Sequence, residues 1–173
     1  MEQRSGPAGG HVELVEHVTP DGSVIEIVTR ARMRAENLRH RSVAIIVQAT
    51  DGRLLVHRRA DHKDVYPGWW DLAAGGVVTA GEDDDVAAER ELAEELGITG
   101  VTPTYIASGV HEDEHARERC RVYRVVHDGP YRFDDGEVAE ARLVDHAALT
   151  ELISSGRVLP GSVAMLLPLI DVP

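Results

Sequence analysis

One stretch of the sequence decides the fold of this chain, and it reads Gly76-Val-Val-Thr-Ala-Gly-Glu82-Asp-Asp-Asp-Val-Ala-Ala-Glu-Arg90-Glu91-Leu-Ala-Glu94-Glu95-Leu-Gly97-Ile98. A helix turns by about 100° per residue, so Glu91, Glu94 and Glu95 share one sector of a helix over residues 83–96. Apolar side chains fill much of the opposite half, namely Val86, Ala88, Leu92, Ala93 and Leu96. The pattern predicts a helix that packs on one side and gathers negative charge on the other.

The three glutamates are close enough to need compensation for their charge. Helix positions three or four apart place Cβ atoms about 5–6 Å from each other. Two ionised carboxylates at that spacing repel each other by up to ~3 kcal/mol at an effective dielectric constant of about 20. In a cleft such a cluster requires raised pKa values or a bound cation, and Mg²⁺ takes oxygen ligands of this kind. The cluster therefore indicates a site for a hard divalent ion.

A plainer interpretation of the same helix is a solvated acidic face. Its first residues, Asp83, Asp84 and Asp85, lie where the helix dipole favours negative charge. The glycines before the helix suit a close turn, and Arg90 lies inside the acidic sector as a counter-charge. Gly97 suits the end of the helix. These features favour the metal site over the solvated face.

The stretch resembles the Nudix box, which is a glycine, five residues, Glu, seven residues, Arg-Glu, an aliphatic residue, any residue, Glu-Glu, any residue, a glycine and an aliphatic residue. Every fixed position is filled between Gly76 and Ile98. Resemblance to the Nudix family implies an α+β chain with an α/β/α sandwich around a mixed β-sheet. It also implies hydrolysis of a diphosphate linkage, typically in a nucleoside diphosphate joined to another group.

Hydrolysis of a diphosphate requires an activated water and neutralised phosphoryl charge. By the resemblance, Mg²⁺ or Mn²⁺ ions held by Glu91, Glu94 and Glu95 would supply both. Glu91 is also a candidate general base, and spacing does not decide between its two roles. Arg90 is expected to orient the acids through charge-assisted hydrogen bonds, while Glu82 is a supporting contact or an outer ligand.

Three further metal ligands are suggested outside the helix. The resemblance makes the carbonyl of Gly75 a candidate, because it lies in the glycine turn before the box. Relatives use one more acid late in the chain, and Glu137 and Glu118 are the two candidates here. The alternative for both is an ordinary surface glutamate.

Basic residues upstream of the box are candidates for substrate binding. Arg58, Arg59 and Lys63 precede the Trp69-Trp70 pair. We expect the cations to meet the outer phosphate or the attached group, and a tryptophan, Trp70 first, to stack on a base or line an apolar pocket. The alternatives are a solvated basic cluster and a tryptophan in the core.

Length and composition limit the class of protein. The 173 residues suit one domain, predicted over residues 11–173 after a flexible start at 1–10, with a hairpin extension over 11–34. A formal net charge of −12 argues against general nucleic-acid binding. The absence of a long apolar run or signal peptide predicts a cytoplasmic protein without a membrane segment. A small-molecule diphosphate is the expected partner, and in a homodimer the N-terminal hairpin would meet the second copy.

The remaining pattern gives the order of elements. Two β-prone runs at 12–18 and 24–29 flank strong turn chemistry. A second hairpin is predicted from strands 42–48 and 53–57, the first of them buried on both faces. One short strand over 71–78 leads to the acidic helix. Later elements are strands near 104–109, 119–127 and 139–144, a helix over 145–154 capped by Asp145, and a short helix within 158–170.

Residues 40–71 also look like the type I isopentenyl diphosphate isomerases, which share the Nudix fold. Their catalytic cysteine and a metal-binding histidine correspond to Gly75 and Val77, and another of their metal-binding histidines corresponds to Met33. The single thiol, Cys120, lies elsewhere. The chain is therefore predicted to be a hydrolase on an isomerase-like branch.

Three functions remain open from the sequence. The first is a metal-dependent diphosphohydrolase, the second an isomerase with unusual catalytic residues, and the third a catalytically silent module that binds a nucleotide. The complete acid set favours the first over the third. The missing cysteine favours the first over the second.

Overall fold

The computed structural model describes residues 12–173, so the predicted flexible start at 1–10 lies outside the described residues. The strands are β1 (Leu14–Val18), β2 (Val24–Thr29), β3 (His40–Gln48), β4 (Leu54–Arg59), β5 (Trp70–Asp71), β6 (Ala74–Val77), β7 (Thr104–Glu112), β8 (Arg117–Val126) and β9 (Val138–Val144). The helices are α1 (Arg30–Ala35), α2 (Asp84–Leu96), α3 (His146–Ser154) and α4 (Pro160–Met165), followed by a 3-10 turn at Leu167–Leu169.

Strand β3 organises the sheet. It runs parallel to β8 over its whole length, from His40 opposite Glu118 onward, and antiparallel to β6 on its other edge. Strand β4 pairs with β5 and β9, β7 pairs with β8, and β1 joins β2 to β3. The result is a mixed, nine-stranded sheet.

Helices cover both faces of this sheet. Val43, Ile45 and Val47 of β3 pack in one core with the apolar side chains of α2. Ile46 lies in a second core, on the other face, together with residues of α3 and the C-terminal segment. Alternate side chains of β3 are thus buried on opposite sides, as its continuous apolar run predicts. The α/β/α sandwich with a mixed sheet is confirmed.

The second predicted hairpin is wrong in its pairing. Strands β3 and β4 are present, but they pair only at Gln48 and Leu54, next to the turn. The strands separate there because β3 is bonded to β8 and β6, while β4 is bonded to β9 and β5. The single strand predicted over 71–78 is instead divided into β5 and β6.

The other predicted elements lie where the pattern places them. The N-terminal hairpin forms from β1 and β2, and α3 begins after Asp145, whose carboxylate accepts a hydrogen bond of 2.9 Å from the amide of Ala148. Met33 is 1% exposed and packs in a small cluster with Val15, Val28 and Val77, so it is a core residue. Within residues 12–173, none of the helices has both the length and the apolar composition needed to cross a membrane.

Candidate active site

Helix α2 carries the acids, and its ends are fixed by local chemistry. The carboxylate of Asp83 accepts a hydrogen bond of 2.8 Å from the amide of Asp85 and caps the first turn. At the other end Gly97 adopts a left-handed φ of +66°, and the amide of Ile98 donates to the carbonyl of Leu92 at 3.1 Å. A glycine is favoured there because the left-handed conformation strains other residues.

The predicted division of α2 into an apolar side and an acidic side is wrong for two glutamates. Glu91 and Glu95 are only 7% and 2% exposed, and they lie on the packed side with Leu92 and Leu96. Val86, assigned to the apolar side, is 58% exposed. Glu94 does face outward, with 53% of its side chain exposed. The helix therefore buries two of its three candidate ligands.

Two glycines in β6 explain how the sheet receives these carboxylates. The amide of Gly75 donates a hydrogen bond of 3.0 Å to Glu95. A Cβ at Gly76 would collide with the carboxylate of Glu91, and one at Gly75 would collide with the carbonyl of Val43. The absence of side chains thus leaves the space into which α2 directs its acids.

Arg90 connects the acids to the loop before the helix. Its guanidinium donates to both carboxylate oxygens of Glu82, at 2.8 and 3.0 Å. It also donates to Glu91 at 2.7 Å and to Glu94 at 3.1 Å. Arg90 thus bonds three of the box glutamates at once, and the orienting role predicted for it stays a proposal.

Burial dominates the ionisation of the two inner glutamates. It raises the pKa of Glu95 to about 8, and the neighbouring Glu91 acts in the same direction. Burial also raises the pKa of Glu91 against the opposing effect of Arg90, with further contributions from Glu94 and Glu137. A buried carboxylate without full compensation is the environment that a bound cation relieves.

The inner glutamates suit a divalent cation. In the described part of the chain, Glu91 accepts a hydrogen bond from Arg90 and Glu95 accepts one from Gly75. Each carboxylate offers about four acceptor positions, so oxygen lone pairs remain for a metal. Hard ions such as Mg²⁺ prefer these oxygens.

A complete three-acid site is not assembled in this structure. Among residues 12–173, no three His, Cys, Asp or Glu side chains converge into a group that could hold a metal ion. On α2 the carboxylate of Glu94 accepts a hydrogen bond from Arg90 and is largely exposed, while Glu91 and Glu95 are buried. The ligand set of Glu91, Glu94 and Glu95 therefore stays a prediction.

A cleft of about 110 Å³ lies beside the glycine strand. Its walls come from eight of the elements and from loops that include the one after β4. The cations at its walls are Arg30, Arg34, Arg59 and Lys63, the acids are Asp71, Asp113 and Glu118, and the apolar residues include Ala44, Ala73, Cys120, Met165 and Leu166. Gly75 and Gly76 line it as well, whereas Glu91, Glu94 and Glu95 are not among its lining residues. The carboxylate of Glu91 lies against Gly76, on the side of that strand that faces α2.

The four predicted substrate-binding residues separate into two groups. Arg59 and Lys63 line the cleft. Arg58, one residue away on β4, faces the other way and forms ion pairs with Asp61 and Glu140. The ring of Trp70 lies under the guanidinium of Arg142 at 4.7 Å from its centroid, away from the cleft lining.

The two candidates for an additional acid lie in different surroundings. Glu137 forms an ion pair with Lys63 and lies close enough to Glu91 to raise its pKa. Glu118 lines the cleft from β8, and the hydroxyl of Ser42 donates to it at 3.4 Å. Burial raises the pKa of Glu118. The structure thus relates Glu137 directly to the helix acids, and Glu118 to the cleft.

One wall of the cleft, formed by Tyr66, His111 and Asp113, was not predicted from the sequence. The carboxylate of Asp113 accepts hydrogen bonds of 2.8 Å from the Tyr66 hydroxyl and from the ring of His111. Tyr66 is held at a φ of +50°, an uncommon conformation for a residue with a side chain. The Tyr66-Pro-Gly turn was visible in the sequence, but its partner lies 47 residues away.

Comparison with known proteins identifies the family of the chain. The NUDIX domain family matches residues 38–160, which include β3, the glycine strand and all of α2. This chain belongs to the Nudix family. It is 41% identical to the uncharacterized Nudix hydrolase YfcD of Salmonella typhi over 128 residues, which are 74% of this chain and 70% of the relative. An uncharacterized Nudix hydrolase of Pseudomonas aeruginosa, PA4841, is 37% identical, with 79% of this chain and 81% of the relative covered.

Solved Nudix structures share the fold. DR0079 from Deinococcus radiodurans superposes with a TM-score of 0.77 at 23% identity, covering 91% of this chain and 99% of that one. The NUDIX domain of Shewanella oneidensis NrtR, solved with ADP ribose, has a TM-score of 0.56 at 13% identity, covering 80% and 95%. The chain is a Nudix hydrolase, in a family that generally hydrolyses compounds linked to nucleoside diphosphates with divalent metal ions.

Proposed function

We propose that this Nudix hydrolase cleaves the diphosphate linkage of a small nucleoside diphosphate derivative, or of a similar compound, with Mg²⁺ or Mn²⁺ as cofactor. The observation that supports it is the buried pair Glu91 and Glu95, whose carboxylates lie against the same glycine strand that lines the cleft. An apolar pair at these buried positions would stabilise the fold better than two acids. The acids are therefore explained by function and not by stability.

Each box residue has a defined task in this proposal. A divalent cation held by Glu91, Glu94 and Glu95 would neutralise phosphoryl oxygens and activate the attacking water. Arg90 keeps Glu91 and Glu94 on one side of the helix through hydrogen bonds. Glu91, with its raised pKa and its place against Gly76, is a metal ligand or the base that accepts the proton of water.

Arg59 is the cleft cation best suited to bind a phosphate. Arg30 forms an ion pair with Glu13 at 3.1 Å and Arg34 with Asp64 at 3.1 Å, while Lys63 is paired with Glu137. Arg59 has no carboxylate partner among residues 12–173 and donates only to the carbonyl of Val65 at 3.1 Å. Its remaining donors are therefore available for a bidentate contact with phosphate.

The size of the cleft limits what it encloses. At about 110 Å³ it is small beside the roughly 300–1,000 Å³ of typical ligand pockets. It encloses one group of a nucleotide-sized substrate, and the remainder lies across its mouth. The proposal therefore leaves the attached group open within the class of small diphosphates.

The isomerase alternative is disfavoured by the only thiol. Cys120 is 2% exposed, its sulfur donates to the carbonyl of Arg121, and burial raises its pKa. A thiol in that state is a poor proton donor or acceptor. The silent nucleotide-binding module is disfavoured because the sequence retains every acid of the box.

The test is a release assay on a panel of substrates. Nucleoside diphosphate derivatives, nucleoside triphosphates and isoprenoid diphosphates are incubated with the protein, with and without Mn²⁺, and phosphate, inorganic diphosphate and nucleotide are measured. We expect metal-dependent release from at least one nucleoside diphosphate derivative. Isomerised isoprenoid diphosphate, or binding of nucleotides without any turnover, would contradict the proposal.

A matched pair of substitutions on β4 tests substrate binding. Arg59→Ala is expected to raise KM about tenfold, because a charge-assisted contact contributes about 1.5 kcal/mol. Arg58→Ala removes the same side chain from the opposite face and is expected to leave KM unchanged. Steady-state kinetics at saturating Mn²⁺ measures both, and equal KM values in the two variants would remove Arg59 from the substrate site.

A further inference from the structure

We propose that Glu16 and Arg41 are positioning residues, through which the N-terminal hairpin fixes the loop before α2 and, by way of Glu82 and Arg90, the acids of the site. This inference rests on the proposed function for its catalytic consequence. The hairpin of β1 and β2 precedes residue 38, where the match to the NUDIX domain begins.

Strand β1 is bonded directly to the loop that enters α2. Val15 forms a β-bridge with Thr79, and the amide of Ala80 donates to the carbonyl of Leu14 at 2.8 Å. The next amide, that of Gly81, donates to the carboxylate of Glu16 at 3.0 Å. Three consecutive loop residues, 79–81, are thus bonded to three consecutive residues of β1, 14–16.

Arg41 of β3 completes the attachment. It donates to Glu16 at 2.8 Å, to the backbone carbonyl of Glu82 at 2.9 Å and to the carboxylate of Asp84 at 2.6 Å. The side chains of Glu16 and Arg41 are only 13% and 17% exposed, so water screens these contacts weakly. Burial opposes ionisation of Glu16, but the hydrogen bonds from Arg41 and Gly81 outweigh it and lower its pKa.

The contacts continue from the loop to the acids. The backbone of Glu82 is held by Arg41, while its carboxylate accepts from the amide of Thr79 at 3.0 Å and from Arg90 twice. Arg90 in turn donates to Glu91 and Glu94. Two charged groups, Glu16 and Arg41, therefore set the place of the residue that orients Arg90.

These polar contacts are not needed to attach the hairpin. Val15 and Val28 of the hairpin pack with Met33 and Val77 in an apolar cluster that already joins it to the sheet. Glu16 and Arg41 instead fix the position of the loop at Gly81 and Glu82. Groups that orient metal ligands typically alter metal affinity or activity by about 10- to 100-fold when they are replaced.

The experiment compares Glu16→Ala with Glu26→Ala. Glu26 lies on β2 of the same hairpin and forms an ion pair with Arg32, but it does not touch the loop. Mn²⁺ affinity is measured by electron paramagnetic resonance, and exchange of the amides of Ala80 and Gly81 is measured by NMR. In Glu16→Ala we expect about tenfold weaker Mn²⁺ binding and faster exchange at both amides, with Glu26→Ala equal to wild type.

Kinetics with the best substrate separates positioning from substrate binding. We expect kcat to fall in Glu16→Ala with little change in KM, because the cleft residues are untouched, and Glu16→Gln to restore part of the loss since it keeps an acceptor for Gly81. Arg41→Lys provides a second variant with its charge retained, and it is expected to weaken Mn²⁺ binding in the same way.

Two results would overturn the inference. One is equal Mn²⁺ affinity and amide exchange in Glu16→Ala and Glu26→Ala. The other, measured on the wild-type protein and so independent of whether a variant folds, is rapid exchange at Gly81. Because metal binding and exchange need no substrate, they decide the positioning role even if the panel assay finds no turnover.

Discussion

Glu91→Gln is expected to lower kcat by about 10²- to 10⁴-fold, the range for loss of a general base, and a lost metal ligand would act in the same direction. The carboxylate lies against Gly76, and the substitution removes its charge with little change in its shape. Mn²⁺ titration separates the roles. Retained Mn²⁺ affinity would identify Glu91 as the base, and lost affinity would identify it as a ligand.

Helix α2 supplies the control for this experiment. Glu89→Gln removes one negative charge from an exposed position on the same helix. Its kcat should equal that of the wild type, because an exposed carboxylate on that face reaches neither the glycine strand nor Arg90's partners. Activity of Glu91→Gln at the level of Glu89→Gln would remove Glu91 from the mechanism.

Glu95→Gln is expected to have opposite effects on activity and on stability. Losing one ligand removes about 3 kcal/mol of charge stabilisation in the transition state, which is roughly a 10²-fold fall in kcat. Without metal, however, the variant should be more stable than the wild type at pH 8. The neutral amide occupies the same space and needs no compensation for a buried charge.

The pH dependence follows from the raised pKa of Glu95, about 8 in the folded protein against an ordinary value of 4.5 for glutamate. The folded state holds the proton of Glu95 more tightly than the unfolded state does. The stability that this protonated carboxyl contributes is therefore complete below pH 4.5 and is lost as pH rises toward 8. The loss is on the order of 1 kcal/mol per pKa unit. Thermal unfolding in a chelator should therefore show a melting temperature that falls across this interval in the wild type and falls less in Glu95→Gln.

Addition of Mn²⁺ provides the decisive comparison. A cation that binds only the folded state raises the melting temperature, and the increase should be largest at high pH, where the carboxylates are ionised. Glu95→Gln should lose most of that increase. A variant whose melting temperature responds to Mn²⁺ as the wild type does would show that Glu95 is not a ligand.

The sequence predicted α2 closely because its signals are local. The role of Gly97 is read from its place directly after the last apolar residue of the helix, and the helix ends as predicted. The cap at Asp83 was not predicted, because Asp83 was assigned to the first turn of the helix. The burial of Glu91 and Glu95 was not predicted, since helical periodicity treats every glutamate as a solvent-facing residue. The deciding feature was the absence of side chains at Gly75 and Gly76, which lie on another element.

The pairing of strands in the sheet also could not be predicted from local sequence patterns. The turn at Asp51-Gly52 is real, but the partners of β3 are β6 and β8, and β8 lies some 80 residues further along the chain. No local pattern specifies such partners. The cleft was not predicted for the same reason, because its walls come from segments that are distant in sequence. Arg59 and Arg58 illustrate it well. They are adjacent in sequence and were predicted together, yet strand alternation places only Arg59 in the cleft.

The boundaries of the family match carry a consequence for how this enzyme diversifies. The matched stretch, residues 38–160, omits Arg30 and Arg34 on one wall of the cleft and Met165 and Leu166 on another. Substitutions at these four positions would change the charge and shape of the cleft while every residue of α2 stays as it is.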